Sequence, residues 1–78
     1  MRSVKAHIVF KKGKAEKPEA RSKMLAKVKK TSQISEVNEK RFDLYGILTG
    51  KIDEDKLDKV RQIPEVDSVE VDEEKELL

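Results

Sequence analysis

Two acidic side chains near the end of the sequence have the type and spacing to bind a partner. Glu70 and Asp72 alternate with Val69 and Val71 in "SVEVD", so in an extended strand the valines point to one face and the acids to the other. Exposed carboxylates in such a strand are available to contact a partner. The simpler interpretation is that outward acids only keep the strand soluble.

The six residues after this strand show no further apolar alternation, and we expect them to form an extended tail. They are Glu73, Glu74, Lys75, Glu76, Leu77 and Leu78. An extended segment can add as a strand to the edge of a partner's groove, where main-chain hydrogen bonds provide affinity and alternate side chains fill pockets. The alternatives are that the end frays or folds back onto the core.

Catalytic and metal-binding chemistry finds little support. His7 is the only histidine and the chain has no cysteine, so neither a histidine–cysteine metal site nor a Ser-His-Asp triad can be argued. Asn38 and Arg41 lie in a candidate turn, but an acylphosphatase-type enzyme would also need a loop that cradles phosphate. We therefore expect no enzyme activity, no cofactor and no metal.

Charge is unevenly distributed along the 78 residues, although the net charge is only +2. Residues 1–33 carry eleven Lys and Arg against two Glu, including three lysines around Gly13. A phosphate loop would need more glycines, and the outward side chains of the first strand, Lys5, His7 and Val9, do not form a platform for stacking bases. We therefore expect no nucleic-acid partner. The apolar runs are too short for a membrane span, so we expect no membrane partner either.

The first half of the chain predicts a strand and a helix. In "SVKAHIVFK" the apolar residues alternate, which is typical of a half-buried strand. Pro18 suits the first turn of a helix, and the apolar residues at i, i+4 and i+8 that follow continue it to about Lys30. This stripe consists of Ala20, Met24, Leu25 and Val28.

The second half predicts a hairpin, a helix and a last strand. The segment from Gln33 to Ile52 is rich in β-branched and aromatic residues and too long for one strand; its turn lies at residues 38–41 or at Gly46, and its second strand includes residues 47–52. Asp53 is predicted to cap a helix that ends near Gln62, because Pro64 follows.

The order strand, helix, strand, strand, helix, strand predicts a ferredoxin-like α+β sandwich. Right-handed crossovers give βαββαβ topology, with a four-stranded antiparallel sheet and two helices on one face. We expect one domain over residues 1–72 and the tail over residues 73–78. The other face of the sheet is then open, and its predicted residues are His7, Val9, Ile47, Thr49, Ser68 and Glu70.

Three stretches of the sequence resemble the subtilisin propeptide and proteinase inhibitor family. They are "HIVFK", "LTGKIDEDKLDKV" and "IPEVDSVEVDEE", and together they cover most of the chain. The ending is the most specific of the three, since Pro64, Val66, Val69, Glu70 and Asp72 match the family in spacing. Members of this family serve as folding chaperones and inhibitors of subtilisin-like serine proteases.

The resemblance implies a partner and a mode of binding. The open sheet face would pack on two helices of a subtilisin-like serine protease, and Glu70 and Asp72 would cap those helices. The tail would lie like a substrate in the cleft, with Leu78 in the primary specificity pocket. Lys75 stands where these proteases generally prefer an apolar side chain.

Two questions stay open at this point. The alternative function is a self-associating regulatory module of the same fold, without protease activity or inhibition, whereas an inhibitor is expected to be a monomer when free. If Met1 is the native first residue, we expect a cytoplasmic location; if a secretion signal was removed, we expect an extracellular one.

Overall fold

A computed structural model describes residues 3–72 as a small α+β fold with a three-stranded antiparallel sheet and three helices. The strand order is β2-β1-β3, so β1 is the central strand. The elements, in chain order, are β1 (Ser3–Phe10), α1 (Pro18–Ser32), α2 (Glu39–Tyr45), β2 (Ile47–Asp53), a 3-10 turn (Glu54–Lys56), α3 (Leu57–Arg61) and β3 (Val66–Asp72).

The alternation predicted for β1 places its apolar side chains in the core. Ala6 and Ile8 are fully buried and Phe10 is nearly so, whereas Lys5 is exposed and His7 half-buried on the other face. Because β1 pairs with a strand on each side, it organises both the core and the opposite face of the sheet.

Helix α1 covers the core face of the sheet. It begins at Pro18, as predicted, and buries Met24 and Val28. Ser32 is also buried, and its hydroxyl donates a hydrogen bond to the carbonyl of Val28 at 2.8 Å, which satisfies a polar group that would otherwise be costly to bury. The helix ends at Ser32, two residues later than predicted, and its C-cap residue Gln33 has the left-handed conformation.

The predicted hairpin between Gln33 and Ile52 is wrong, because helix α2 takes the place of most of its first strand. Asn38 caps the helix: its side chain accepts a hydrogen bond from the Arg41 N–H at 3.0 Å. Gly46 ends the helix with a φ of 69°, and its N–H bonds the Phe42 carbonyl. Phe42 is buried with its ring centroid 5.8 Å from that of Phe10, and this contact fixes the helix against the core.

Of the predicted second strand, one bridge remains in the described part of the chain, where the sheet has three strands rather than four. Ser35 forms an isolated antiparallel bridge with Lys51, and the Asn38 N–H bonds the Thr49 carbonyl at 2.9 Å. The segment before α2 therefore runs beside β2 without forming a regular strand. The predicted strand at residues 47–52 is confirmed as β2.

The predicted last helix is present, but it starts differently. Leu57, Val60 and Ile63 are buried as expected, and α3 ends at Arg61. Asp53 occupies the predicted N-cap position, but the first turn, Glu54–Lys56, is a 3-10 turn and the Asp53 side chain makes no capping bond. Its carboxylate instead accepts a hydrogen bond from the Ser3 hydroxyl at 3.2 Å, because both residues lie at the paired ends of β1 and β2.

An ion pair links α1 to the start of β3. Lys27 Nζ donates to both carboxylate oxygens of Glu65, at 2.9 and 3.0 Å. This hydrogen bond is the main reason why the pKa of Glu65 is lowered from its ordinary value. Among residues 3–72, no helix is long and apolar enough to cross a membrane.

Candidate functional site

Three rows of cross-strand neighbours form the sheet face opposite the core, which we call the open face. Each row has its central residue on β1, flanked by one residue of β2 and one of β3. The rows are Ile47–Val9–Ser68, Thr49–His7–Glu70 and Lys51–Lys5–Asp72. All six residues that the sequence predicts for this face therefore lie in the first two rows.

His7 connects the two outer strands across the open face. Its Nδ1 lies 2.9 Å from the Thr49 hydroxyl on β2, and its Nε2 lies 3.6 Å from an Asp72 carboxylate oxygen on β3. Neutral imidazole has one donor and one acceptor nitrogen. With the proton on Nε2, Nδ1 accepts a hydrogen bond from the Thr49 hydroxyl, and the Nε2–H faces the Asp72 carboxylate at a distance longer than a hydrogen bond.

The open face is more accessible on the β3 side than on the β2 side. Ser68 and Glu70 are exposed, and Val9 and Ile47 are half-buried. Thr49 is only 5% exposed, which differs from the expectation of an open position. It is covered because His7 contacts its hydroxyl and the chain at Asn38 hydrogen-bonds its carbonyl.

Strand β3 carries the two acids proposed to contact a partner. Glu70 is exposed and lies beside His7 in the register. The side chain of Asp72 is 49% exposed, and Asp72 is the last residue of the strand. Within residues 3–72, β3 pairs with β1 alone, so its other edge has backbone groups available to a further strand.

The predicted tail, Glu73, Glu74, Lys75, Glu76, Leu77 and Leu78, lies outside the described residues. The last described residue, Asp72, ends β3 and is paired with Lys5 of β1.

A cleft that the sequence did not predict lies on the β2 side of the open face, and we call it the basic cleft. Its volume is about 280 Å³, and Lys5, His7, Asn38, Arg41, Thr49 and Lys51 line it, together with Glu36. The signal that could have revealed the cleft was Asn38 as a helix cap with Gly46 as the stop.

Charge divides the open face into two sides. Glu70 and Asp72 make the β3 side acidic, whereas Lys51 and Arg41 make the β2 side basic, with Lys5 between them. Within residues 3–72, no cluster of three metal-ligating side chains occurs. The open face, as far as residues 3–72 define it, is therefore polar and carries opposite charges on its two sides.

Comparison with protein-family models found no matching family, and comparisons with curated proteins and with solved structures found no significant match.

Proposed function

We propose that this chain binds and inhibits a subtilisin-like serine protease, either as an independent inhibitor or as a propeptide-type folding chaperone. The observation that carries the proposal is the position of Glu70 and Asp72. One is exposed in the middle of β3 and the other ends the strand, where the chain continues into the acidic-apolar tail. The two acids of β3 and the tail, which together form the proposed docking surface, thus belong to one continuous segment of the chain.

The fold proposed here is a reduced ferredoxin-like sandwich. In that interpretation β1, β2 and β3 are the first, third and fourth strands, and the bridge between Ser35 and Lys51 marks the second. The order of the three strands agrees with this assignment, since the first strand lies between the third and the fourth. The helices α1 and α3 are then the two crossover helices.

Docking would use the open face and the tail together. Glu70 and Asp72 accept hydrogen bonds from unpaired N–H groups at the N-termini of two protease helices, where a carboxylate gains about 0.3–2 kcal/mol. The tail adds as a strand to the substrate cleft, with Leu78 in the primary specificity pocket. The three Glu and one Lys of the tail favour a protease whose cleft is basic.

Inhibition in this mechanism is occupation of the active site, with no chemistry performed by the chain. A free inhibitor is a monomer, since the surface that binds the protease is not used for self-association. This property separates the proposal from the alternative, a self-associating module that would pair through the open face or an edge strand of the sheet.

Inhibition kinetics with a broad-specificity subtilisin test the proposal. We expect the full chain to inhibit, and Glu70→Gln to raise the inhibition constant by about 2- to 30-fold, the equivalent of losing one helix-terminal contact. Asp67→Asn is the matched control, because Asp67 is exposed on the same strand but outside the three rows of the open face.

Two results would count against the proposal. Equal inhibition by Glu70→Gln and Asp67→Asn would show that the Glu70 carboxylate does not contribute to binding the protease. An absence of inhibition combined with a concentration-dependent dimer in light scattering would favour the self-associating module instead.

A further inference from the structure

The basic cleft has a fixed shape, because a second segment of the chain is hydrogen-bonded beside β2 and forms one of its walls. Ser35 and Lys51 exchange backbone hydrogen bonds of 2.9 and 2.7 Å, and the Asn38 N–H bonds the Thr49 carbonyl. These bonds hold residues 35–38 beside β2, and Lys5 and His7 of β1 also line the cleft. The position of the wall is thus set by backbone pairing, and it does not depend on flexible surface side chains.

The cleft has an excess of positive charge. Lys5, Arg41 and Lys51 contribute three cations, and Glu36 contributes one carboxylate. Glu36 forms an ion pair with Lys51, whose Nζ lies 3.0 Å from a Glu36 carboxylate oxygen. Among residues 3–72, no carboxylate lies within ion-pair distance of Lys5 or Arg41, so two cations in the cleft have no anionic partner there.

The polar groups of the cleft also favour an anion. The Asn38 side-chain oxygen accepts the capping bond from the Arg41 backbone N–H, which leaves the NH₂ group of that amide as a donor. Arg41 adds a planar fork of donors, and Lys5 an ammonium with three. Donors that carry a positive charge form hydrogen bonds with oxyanions that are about twice as strong as neutral ones.

We propose that the basic cleft is an oxyanion-binding site in which Lys5, Arg41 and the Asn38 amide hold the ligand. The oxyanion can come from two sources, either a free phosphate or an acidic side chain of the docked protein. The second source rests on the proposed function, because it makes the cleft a specificity pocket for a protease with a carboxylate facing the β2 side of the open face. Glu36 competes with the ligand for Lys51.

Titration of the free chain with inorganic phosphate, followed by amide chemical shifts in NMR, tests the site without any protease. We expect saturable shifts concentrated at residues 5, 38, 41 and 51. Lys5→Gln and Arg41→Gln should each weaken phosphate binding by roughly tenfold, the value of one charge-assisted hydrogen bond. Glu36→Gln should strengthen binding, because it removes the competing carboxylate. Lys29→Gln, on the exposed surface of α1, is the matched control and should bind like the wild type.

The higher phosphate affinity expected for Glu36→Gln cannot result from unfolding, because a damaged fold would not bind phosphate more tightly. Shifts that do not saturate, or that respond equally to Lys5→Gln and Lys29→Gln, would overturn the site and would indicate general screening of surface charge.

A second measurement distinguishes the two sources of the oxyanion. Arg41→Gln is used here, because Arg41 lines the cleft but lies outside the three rows of the open face. If the ligand is an acidic side chain of the partner, Arg41→Gln weakens inhibition and phosphate competes with the protease. If the ligand is free phosphate, Arg41→Gln inhibits like the wild type while its phosphate binding is weakened. Either result supports the site, and the phosphate titration stands even if no protease is inhibited.

Discussion

Ser35 and Lys51 exchange two backbone hydrogen bonds, with Ser35 N–H to Lys51 O at 2.9 Å and Lys51 N–H to Ser35 O at 2.7 Å. This single antiparallel bridge stands where a whole strand was predicted. The next residues leave the edge of the sheet and enter α2, so the bridge both retains the strand order of the proposed fold and creates the wall of the basic cleft.

Gly50 makes this bridge possible, and its replacement is expected to destabilise the fold. A Cβ at this position would lie 2.8 Å from two side-chain carbons of Ile34 and 2.9 Å from the Ser35 carbonyl oxygen. Gly50→Ala should therefore lower the free energy of unfolding by about 1–3 kcal/mol, the usual range for overpacking. Urea unfolding monitored by circular dichroism gives the value.

A double-mutant cycle identifies the cause of that loss. Ile34→Ala alone should cost about 2–5 kcal/mol because it leaves a cavity, but less in the Gly50→Ala background, where the shorter side chain relieves the clash. Additive costs for Gly50→Ala and Ile34→Ala would show that the two residues do not contact each other.

Two residues of α2 should respond very differently to truncation. Phe42 is 3% exposed and packs against Phe10, whereas Leu44 is 65% exposed. Phe42→Ala should lower the free energy of unfolding by about 3–5 kcal/mol, and Leu44→Ala by no more than about 0.5 kcal/mol. If urea titrations gave similar losses for the two variants, α2 would not have the orientation described.

The contact between Lys27 and Glu65 predicts a pH-dependent contribution to stability. Because the pKa of folded Glu65 is lowered from 4.5, its contribution is present at pH values above the unfolded pKa and is lost as the pH falls through the folded one. Lys27→Met should therefore be less stable than the wild type at neutral pH, and the difference should shrink at about pH 3. The effect should be small, since Lys27 is 44% exposed and exposed ion pairs contribute little.

Lys23→Met is the control for this measurement. Lys23 is exposed on the same helix, and within residues 3–72 it takes part in no ion pair. A destabilisation by Lys27→Met that stayed constant between the two pH values, or that Lys23→Met shared, would contradict the assigned role of Glu65.

The parts of the fold that the sequence predicted correctly are those with a clear periodicity. Alternation defines β1, where Ala6, Ile8 and Phe10 are all buried, and the i, i+4 spacing of Met24 and Val28 defines α1. In these elements the local pattern and the final packing favour the same structure.

The prediction failed for the segment between α1 and β2, because its composition favours a strand and its packing favours a helix. Val37, Phe42 and Tyr45 have high strand propensity, yet the cap at Asn38 and the left-handed stop at Gly46 define a helix. The burial of Phe42 against Phe10 outweighs the intrinsic preference. That contact joins residues far apart in the chain, so no local pattern could reveal it.

The candidate site was predictable only where it follows from strand register. The rows through His7 and Val9 result from alternation in three strands, and the sequence indicates all six of their members. The basic cleft depends on where residues 35–41 run in space, which the incorrect hairpin concealed. The burial of Thr49 was missed for the same reason.

The measurement that tests the central claim most directly compares two chains as inhibitors of one subtilisin-like protease: the full chain and a chain that ends at Asp72. The account predicts that removing residues 73–78 raises the inhibition constant by orders of magnitude, because the segment that binds the protease's substrate cleft is lost. The free energy of unfolding in urea should be the same for the two chains. Equal inhibition by both chains, or none by the full chain, would contradict it.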